Sequence, residues 1–250
     1  MTGSIVVRKC QSLEEFHLCV ALQREIWQEA DLEIEPVTAF VVAANTGGQV
    51  LGAFDGGRLA GFTLAVGGIR DGLPYLHSHM TGIHADFRDG GIGRMLKLFQ
   101  RDEALSRSIR LICWTFDPLE FRNAYFNLNR LGAICRTYLP NFYGVTSSPL
   151  HRGLATDRLL AEWHLDSPRV MAAVAGVPVQ IPESCAVIEM PAVPGDGPSL
   201  ISGQSLQQLA AIQERLRNEF TKYFQRKYAA VAVRRDAATR GYVLCPWSDF

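Results

Sequence analysis

The sequence has no excess of either charge, no closely spaced cysteine pair and no long hydrophobic run. Lys plus Arg and Asp plus Glu number 25 each, and the basic pair Arg234-Arg235 is short and adjoins Asp236. A nucleic-acid-binding protein usually shows a basic surface, so nucleic acid is disfavoured as a partner. The longest nearly uninterrupted apolar stretch, residues 170–179, is far shorter than the ~20 residues that a membrane-spanning helix needs. We therefore expect no membrane segment.

The cysteines and the N-terminal residues indicate a reducing compartment. Six cysteines are scattered along the chain without a C-x-x-C pair. Cys10, Cys19, Cys113 and Cys135 lie in apolar-rich segments, so we expect buried, reduced thiols. The first ten residues, MTGSIVVRKC, resemble a strand and lack the apolar core of a secretory signal. A cytoplasmic protein is the expectation.

Hydrophobic periodicity predicts alternating strands and helices over the first 140 residues. The chain of 250 residues is 48% hydrophobic, enough for one large domain or for an ordinary domain with an extension. The predicted strands cover residues 5–9, 50–54, 59–66, 75–84, 109–116 and 133–138. The predicted helices cover residues 12–27, 36–44, 91–108 and 119–131. This order, with a hairpin in its first half, predicts an α/β fold on a mixed sheet.

The last hundred residues differ in pattern from the rest. Strands are predicted at residues 157–165, 185–190, 229–234 and 241–247, with helices at 169–175 and from a capping box at Ser205 onward. We therefore expect a first domain over residues 1–147 and a C-terminal α+β extension over residues 148–250. The extension either covers the acceptor side of the site or forms a contact between copies, as in a homodimer.

A glycine-rich turn between a strand and a helix is the main functional signal. Its six residues are Arg88, Asp89, Gly90, Gly91, Ile92 and Gly93. Such a turn directs backbone N–H groups and the positive end of the helix dipole at one point, where phosphate binds. Arg88, Arg94 and Lys97 add cationic side chains nearby. The alternative is an ordinary strand-to-helix turn that contains three glycines.

Two other phosphate-binding motifs do not fit the turn. A Walker loop needs Lys followed by Ser or Thr at a fixed spacing, which Lys97 does not satisfy. A dinucleotide-binding fingerprint needs Gly or Ala at position 96, where the chain has Leu96. The remaining pattern is [RQ]-x-x-G-x-[GA], supplied by Arg88, Gly91 and Gly93.

With this pattern the sequence resembles the GNAT superfamily of coenzyme A-dependent acyltransferases. The predicted element order matches that fold through about Tyr143. The runs at residues 77–80 (HSHM), 114–119 (WTFDPL) and 123–133 resemble a bacterial branch of predicted acetyltransferases. The resemblance covers nearly the whole chain, and its specific motifs lie between residues 77 and 144.

The resemblance implies acyl-coenzyme A, most often acetyl-CoA, as the acyl donor and an amine as the acceptor. It places the pyrophosphate on the amides of residues 89–94 and the pantetheine along Gly82, Ile83 and His84. The thioester then lies near residues 79–82, where an amide stabilises the oxyanion. Asn123 and Asn127, one turn apart on a helix, either bond the cofactor or are surface polar residues.

The catalytic residues depart from the usual pattern of the family. Many members use a carboxylate on the fourth strand and a tyrosine on the following helix, but here the tyrosine position is Leu128. The strand instead offers His77 and His79, which alternation places on one side and whose chemistry suits a base near neutral pH. Tyr125 is an alternative acid.

Each of these catalytic candidates has a structural interpretation as well. Both histidines are compatible with hydrogen-bonded core residues, and H-x-H is also a metal-ligand spacing, although no third ligand can be placed. Tyr125 is equally compatible with packing, and Asp117 and Asp157 with caps or structural partners. Two functions follow: an N-acyltransferase that acts by direct attack of the amine, or a non-catalytic acyl-CoA-binding sensor.

Overall fold

A computed structural model describes residues 4–144, 146–149, 153–178, 181, 185–191, 204–235 and 240–246. The described chain divides into two compact units. The first contains the residues up to Cys113 together with residues 146–149. The second contains residues 114–144 and the described residues from 153 onward. The predicted domain boundary at residue 147 stays a prediction.

The first unit is a mixed sheet with three helices, as the sequence predicts. Its strands are β1 (Ile5–Lys9), β2 (Gln49–Asp55), β3 (Arg58–Arg70), β4 (Leu73–Ile83) and the start of β5 (Leu111–Phe116); its helices are α1 (Leu13–Trp27), α2 (Val37–Asn45) and α3 (Ile92–Ser106). The strands are ordered β1-β2-β3-β4-β5. The first four pair antiparallel, and β4 pairs parallel with β5.

Local signals set the ends of these helices, and alternation along the strands builds the core. Ser12 accepts a hydrogen bond from the Glu15 amide at the start of α1. On one face of the sheet, α1 and α2 bury Phe16, Phe40 and Phe62. On the other face α3 buries a separate cluster: Leu51, Ala53, Ala60, Ile92 and Leu96. Burial of each large side chain stabilises the fold by ~1.5–3 kcal/mol.

The second unit contains the end of β5 and the C-terminal elements. They are α4 (Phe121–Tyr125), β6 (Ile134–Leu139), β7 (Arg158–His164), α5 (Pro168–Val174), β8 (Ala186–Glu189), α6 (Leu206–Gln225), β9 (Tyr228–Arg235) and β10 (Arg240–Pro246). The strand order is β5-β7-β6-β9-β10-β8. The capping box at Ser205 opens α6 as predicted. Trp247, the last residue of the final predicted strand, lies outside the described residues.

The prediction of one regular helix over residues 119–131 was wrong. The helix begins at Phe121, and Phe126–Arg130 form a π-helical turn. The amide of Leu131 consequently bonds the carbonyl of Phe126, five residues earlier. Side chains from elsewhere in the second unit bond the carbonyls that follow this turn. Arg169 donates to Gly132 (3.0 Å), and Trp163 donates to Leu131 (2.7 Å).

The cysteines fall into two groups. Cys10, Cys19, Cys113 and Cys135 are free and buried, as expected. Cys185 and Cys245 form a disulfide, which was not expected from the sequence. The reason lies in the strand order: β10 pairs with β8, and the pair Leu244–Ala186 brings the two cysteines next to each other. Within the described residues, no helix is both long and apolar enough to cross a lipid bilayer.

Candidate functional site

The glycine-rich turn joins β4 to α3 through a short 3-10 turn, Ala85–Phe87. Gly91 is the N-cap residue of α3 with φ +77°. This left-handed conformation strains residues with a Cβ, which explains why glycine occupies the position. Asp89 also has a positive φ, 64°, a conformation that Asp tolerates better than most residues.

The backbone of the turn has open space around it. A Cβ built on Gly91 or Gly93 would meet no atom within 4 Å, so the backbone there is open to approach. The Gly91 carbonyl accepts from Arg94 (3.0 Å) and Met95 (3.1 Å), which begins the regular helix. The first amides of a helix have no intrahelical acceptor, and no acidic residue occupies the first turn of α3. Arg88 is exposed beside this helix end.

Lys97, expected as a cation beside the turn, lies elsewhere. Its side chain is buried with 5% exposure, and Nζ donates to Ser78 Oγ (2.9 Å) and Gln100 Oε1 (3.0 Å). The physical reason is helical periodicity, because Lys97 lies on the face of α3 that also carries the buried Gln100 and packs against the sheet. The expectation that Lys97 supports the phosphate site was therefore wrong.

A β-bulge interrupts β4 at His79. Met80 pairs with Leu64 of β3, but the next pair is Ser78 with Ala65, so His79 is the additional residue. The additional residue breaks the alternation of the strand, so the residues on either side of it lie on opposite faces of the sheet. Accordingly Ser78 contacts Lys97 of α3, whereas Met80 packs on the cluster built by α1 and α2. Bulges also leave peptide groups outside the regular ladder.

The pairing of β4 with β5 ends just before the bulge. The two register pairs are Leu76–Ile112 and His77–Cys113, while β4 continues to Ile83. The backbone of β4 from the bulge onward is therefore paired through β3 alone within the first unit. A free strand edge can pair with an extended ligand by main-chain hydrogen bonds.

His77 and His79 lie side by side, as alternation predicts. Their ring centroids are 6.4 Å apart. Burial, helped by the charges of His79 and Lys97, lowers the pKa of His77. The Nε2 atom of His79 lies 3.0 Å from Oε1 of Glu35, and both side chains are about one-third exposed (30% and 35%). His79 is thus both oriented by a carboxylate and accessible to solvent.

Glu35 belongs to an acidic segment after α1 that was not among the site residues predicted from the sequence. The carboxylates of residues 29–35 are Glu29, Asp31, Glu33 and Glu35. Ser147 holds the segment in place, because its amide donates to both oxygens of Glu33 (3.0 Å each) and its Oγ accepts from Ala30 (2.8 Å). Burial and the charges of Glu33 and Glu35 raise the pKa of Glu29. In the sequence, the density of acidic residues, four within seven positions, is the pattern that could have indicated this segment.

The three residues expected along the pantetheine close the end of β4. Gly82 faces α1, where a Cβ would lie 2.6 Å from Ile26. Ile83 packs on the cluster under α3. His84 accepts the Asp86 amide through Nδ1 (3.1 Å), and its Nε2 lies 3.3 Å from Glu25. Its side chain therefore stabilises the approach to the turn.

The remaining candidates lie in the second unit. Asn127 is buried, and its Nδ2 donates to the side-chain Oδ1 of Asn123 (3.3 Å), so the two share a helix face as predicted. Tyr125 is half-buried, and Arg235 lies over its ring at 5.3 Å. Leu128 is fully buried.

The two aspartates considered as caps or structural partners have those positions. Asp117 accepts the Leu119 amide at 2.8 Å. Asp157 is fully buried and accepts from Tyr138 (2.7 Å) and from two nitrogens of Arg217 (2.9 and 3.0 Å). Both residues stabilise the second unit.

Three solved acetyltransferase structures are similar to this fold. The chain matches an N-acetyltransferase from Staphylococcus aureus Mu50 with a TM-score of 0.53 and 14% identity, covering 66% of this chain and 100% of that one. It matches an aminoglycoside 6′-acetyltransferase type Ii with a TM-score of 0.50 and 18% identity, covering 65% and 98%. It matches the ribosomal-protein-S18-alanine N-acetyltransferase from Escherichia coli with a TM-score of 0.50 and 13% identity, covering 72% of this chain and 97% of that one.

These likenesses confirm the predicted fold. The chain shares the fold of an acetyltransferase of the GNAT family from Desulfovibrio desulfuricans, with a TM-score of 0.51 and 15% identity, covering 65% of this chain and 99% of that one. Neither a family model nor a curated protein sequence matches it. At these identities the comparisons define the fold alone.

Proposed function

We propose that this protein is an N-acyltransferase that moves an acyl group, with acetyl as the expected group, from acyl-coenzyme A to an amine. One observation carries the proposal. A bulge at His79, with the imidazole hydrogen-bonded to Glu35, lies on the strand that leads directly into the glycine-rich turn. This transfer needs three parts, which here lie on consecutive segments: a phosphate site, a free strand edge and an oriented base.

The turn and the strand edge would hold the donor. The open backbone at Gly91 and Gly93 fits the pyrophosphate, with Arg88 adjacent. The edge of β4 beyond the bulge supports pairing with the pantetheine, and peptide N–H groups near the bulge are suitable donors to the oxyanion. Bound acyl-CoA supplies an acyl carbon activated as a thioester.

His79 is the proposed general base. With its Nε2–H directed at the Glu35 carboxylate, its Nδ1 carries the lone pair and takes a proton from the amine. The amine nitrogen bonds the acyl carbon, the carbon–sulfur bond breaks, and the proton passes from His79 to the departing sulfur. Burial lowers the pKa of His77, which disfavours its charged form.

The acidic segment supports an amine as the acceptor. Amines are cations near neutral pH, and the carboxylates of Glu29 and Glu35 lie close enough to His79 to interact with it electrostatically. Clustered charge of one sign raises the local concentration of a ligand of the opposite sign.

Release of thiol from acetyl-CoA across a panel of amines tests the proposal. We expect amine-dependent release by the wild type and its loss in Gly91→Asp. Tight coenzyme A binding with no release for any amine would instead favour the non-catalytic sensor. The observation that favours this second function is the buried Leu128 at the usual tyrosine position.

A further inference from the structure

A buried lysine links the helix of the glycine-rich turn to the strand of the histidines. Lys97 donates to Ser78 Oγ, and Gln100 Nε2 donates to the same oxygen (3.3 Å). All three side chains are at most 5% exposed. Burial of an amine costs free energy and lowers the pKa of Lys97 to about 7. An apolar side chain would fill the same space without that cost.

The position of this link is specific. Ser78 is the residue immediately before the bulge at His79, and Lys97 lies one helical turn after Gly93. The hydrogen bond therefore connects the two segments that hold opposite ends of the proposed donor site. The link crosses from α3 to the face of β4 opposite the two imidazoles.

We propose that Lys97 is a positioning residue, which ties the segment before the bulge, through Ser78, to the helix that carries the glycine-rich turn. This inference rests on the proposed function. The tie fixes the separation between the phosphate site and the oxyanion donors, which a single acyl-CoA must span. Misplacement of reacting groups by ~1 Å can cost about 100-fold in rate.

The ammonium of Lys97 also acts on His77 through the strand. Its charge, after burial and together with His79, lowers the pKa of His77. The other charged or titratable groups near the pair are Glu35 and Glu29 toward His79, and Arg70 and Cys113 on the neighbouring strands. With an apolar side chain at position 97, the pKa of His77 would be higher than in the wild type.

Three variants test the inference: Lys97→Met, Ser78→Ala and Ser78→Thr. The first two remove the tie, whereas threonine keeps the hydroxyl that accepts it. We expect kcat to fall about 10- to 100-fold in Lys97→Met and Ser78→Ala, with the Kd for coenzyme A changed less than about twofold. Ser78→Thr should keep most of the wild-type kcat. Circular dichroism checks that each variant is folded.

A titration separates positioning from a purely structural role. In histidine-labelled protein, the NMR midpoint of His77 should rise in Lys97→Met and stay near the wild-type value in Ser78→Ala. A folded Lys97→Met with wild-type kcat, or with an unchanged His77 midpoint, would overturn the inference while leaving the proposed function intact. An inactive wild type would overturn both.

Discussion

The imidazole of His79 and the carboxylate of Glu35 are 3.0 Å apart, although 44 residues separate them along the chain. The bulge in β4 sets the position of His79, and the segment braced by Ser147 sets that of Glu35. A carboxylate that accepts from one imidazole nitrogen fixes the tautomer and makes the other nitrogen a better base. The pair is thus the centre of the proposed mechanism.

Loss of this pair should affect turnover and not cofactor binding. His79→Ala is expected to lower kcat by about 100- to 10,000-fold, since general base catalysis contributes that much. Glu35→Gln should lower kcat less, because the imidazole remains. Steady-state kinetics with calorimetry of coenzyme A binding measure both effects. The control is His17→Ala, at an exposed position of α1. Full activity of His79→Ala would show that His79 takes no part in the mechanism.

The glycine-rich turn should be necessary for coenzyme A binding. Gly91→Asp introduces a Cβ, a negative charge and backbone strain at φ +77°, and we expect binding to be lost in calorimetry. Gly72→Asp is a matched control, since Gly72 has the same φ of 77° and the same open surroundings in the β3–β4 turn. Equal loss in both variants would mean that strain, and not the phosphate site, explains the result.

The sequence predicted most of the fold because the signals are local. Ser12 and Ser205 cap helices within three residues of their partners, and the alternation of β2 places Leu51 and Phe54 on opposite faces. Gly132 adopts the expected positive φ, 76°. Each of these features depends on residues that are neighbours in the chain.

The candidate site could be predicted only in part, because its geometry depends on distant residues. The bulge at His79 arises from the register with β3, and no local pattern in HSHM marks it. Glu35 reaches His79 only after α1 and its following segment have folded over the sheet. Lys97 appeared to be a cation of the turn because the spacing does not indicate how deeply that face of α3 is buried.

The buried lysine should make stability depend on pH. Because burial lowers the pKa of Lys97 from 10.5 to about 7, the unfolded chain binds one more proton than the folded chain between those values. The free energy of unfolding therefore rises with pH in that window, by up to about 1.4 kcal/mol per unit. Urea unfolding at pH 7, 8 and 9 should show this slope in the wild type and a smaller slope in Lys97→Met. Parallel slopes would mean that Lys97 is charged in the folded protein throughout.

The acidic segment should discriminate between acceptors by charge. Glu29→Gln is expected to raise KM for a dicationic amine about fivefold, equivalent to ~1 kcal/mol, with a smaller effect for a monocationic amine. Glu214→Gln, at an exposed position of α6, is the control. The same KM ratio for both classes of amine would show that Glu29 does not contact the acceptor region.

Transfer of the acyl group to an amine can be observed as product by mass spectrometry. Stoichiometric protein, acetyl-CoA and a panel of amines are mixed for a single turnover. We expect an acetylated amine with the wild type and Gly72→Asp, and none with Gly91→Asp. Bound acetyl-CoA with no acetylated product from any amine would contradict the proposed function.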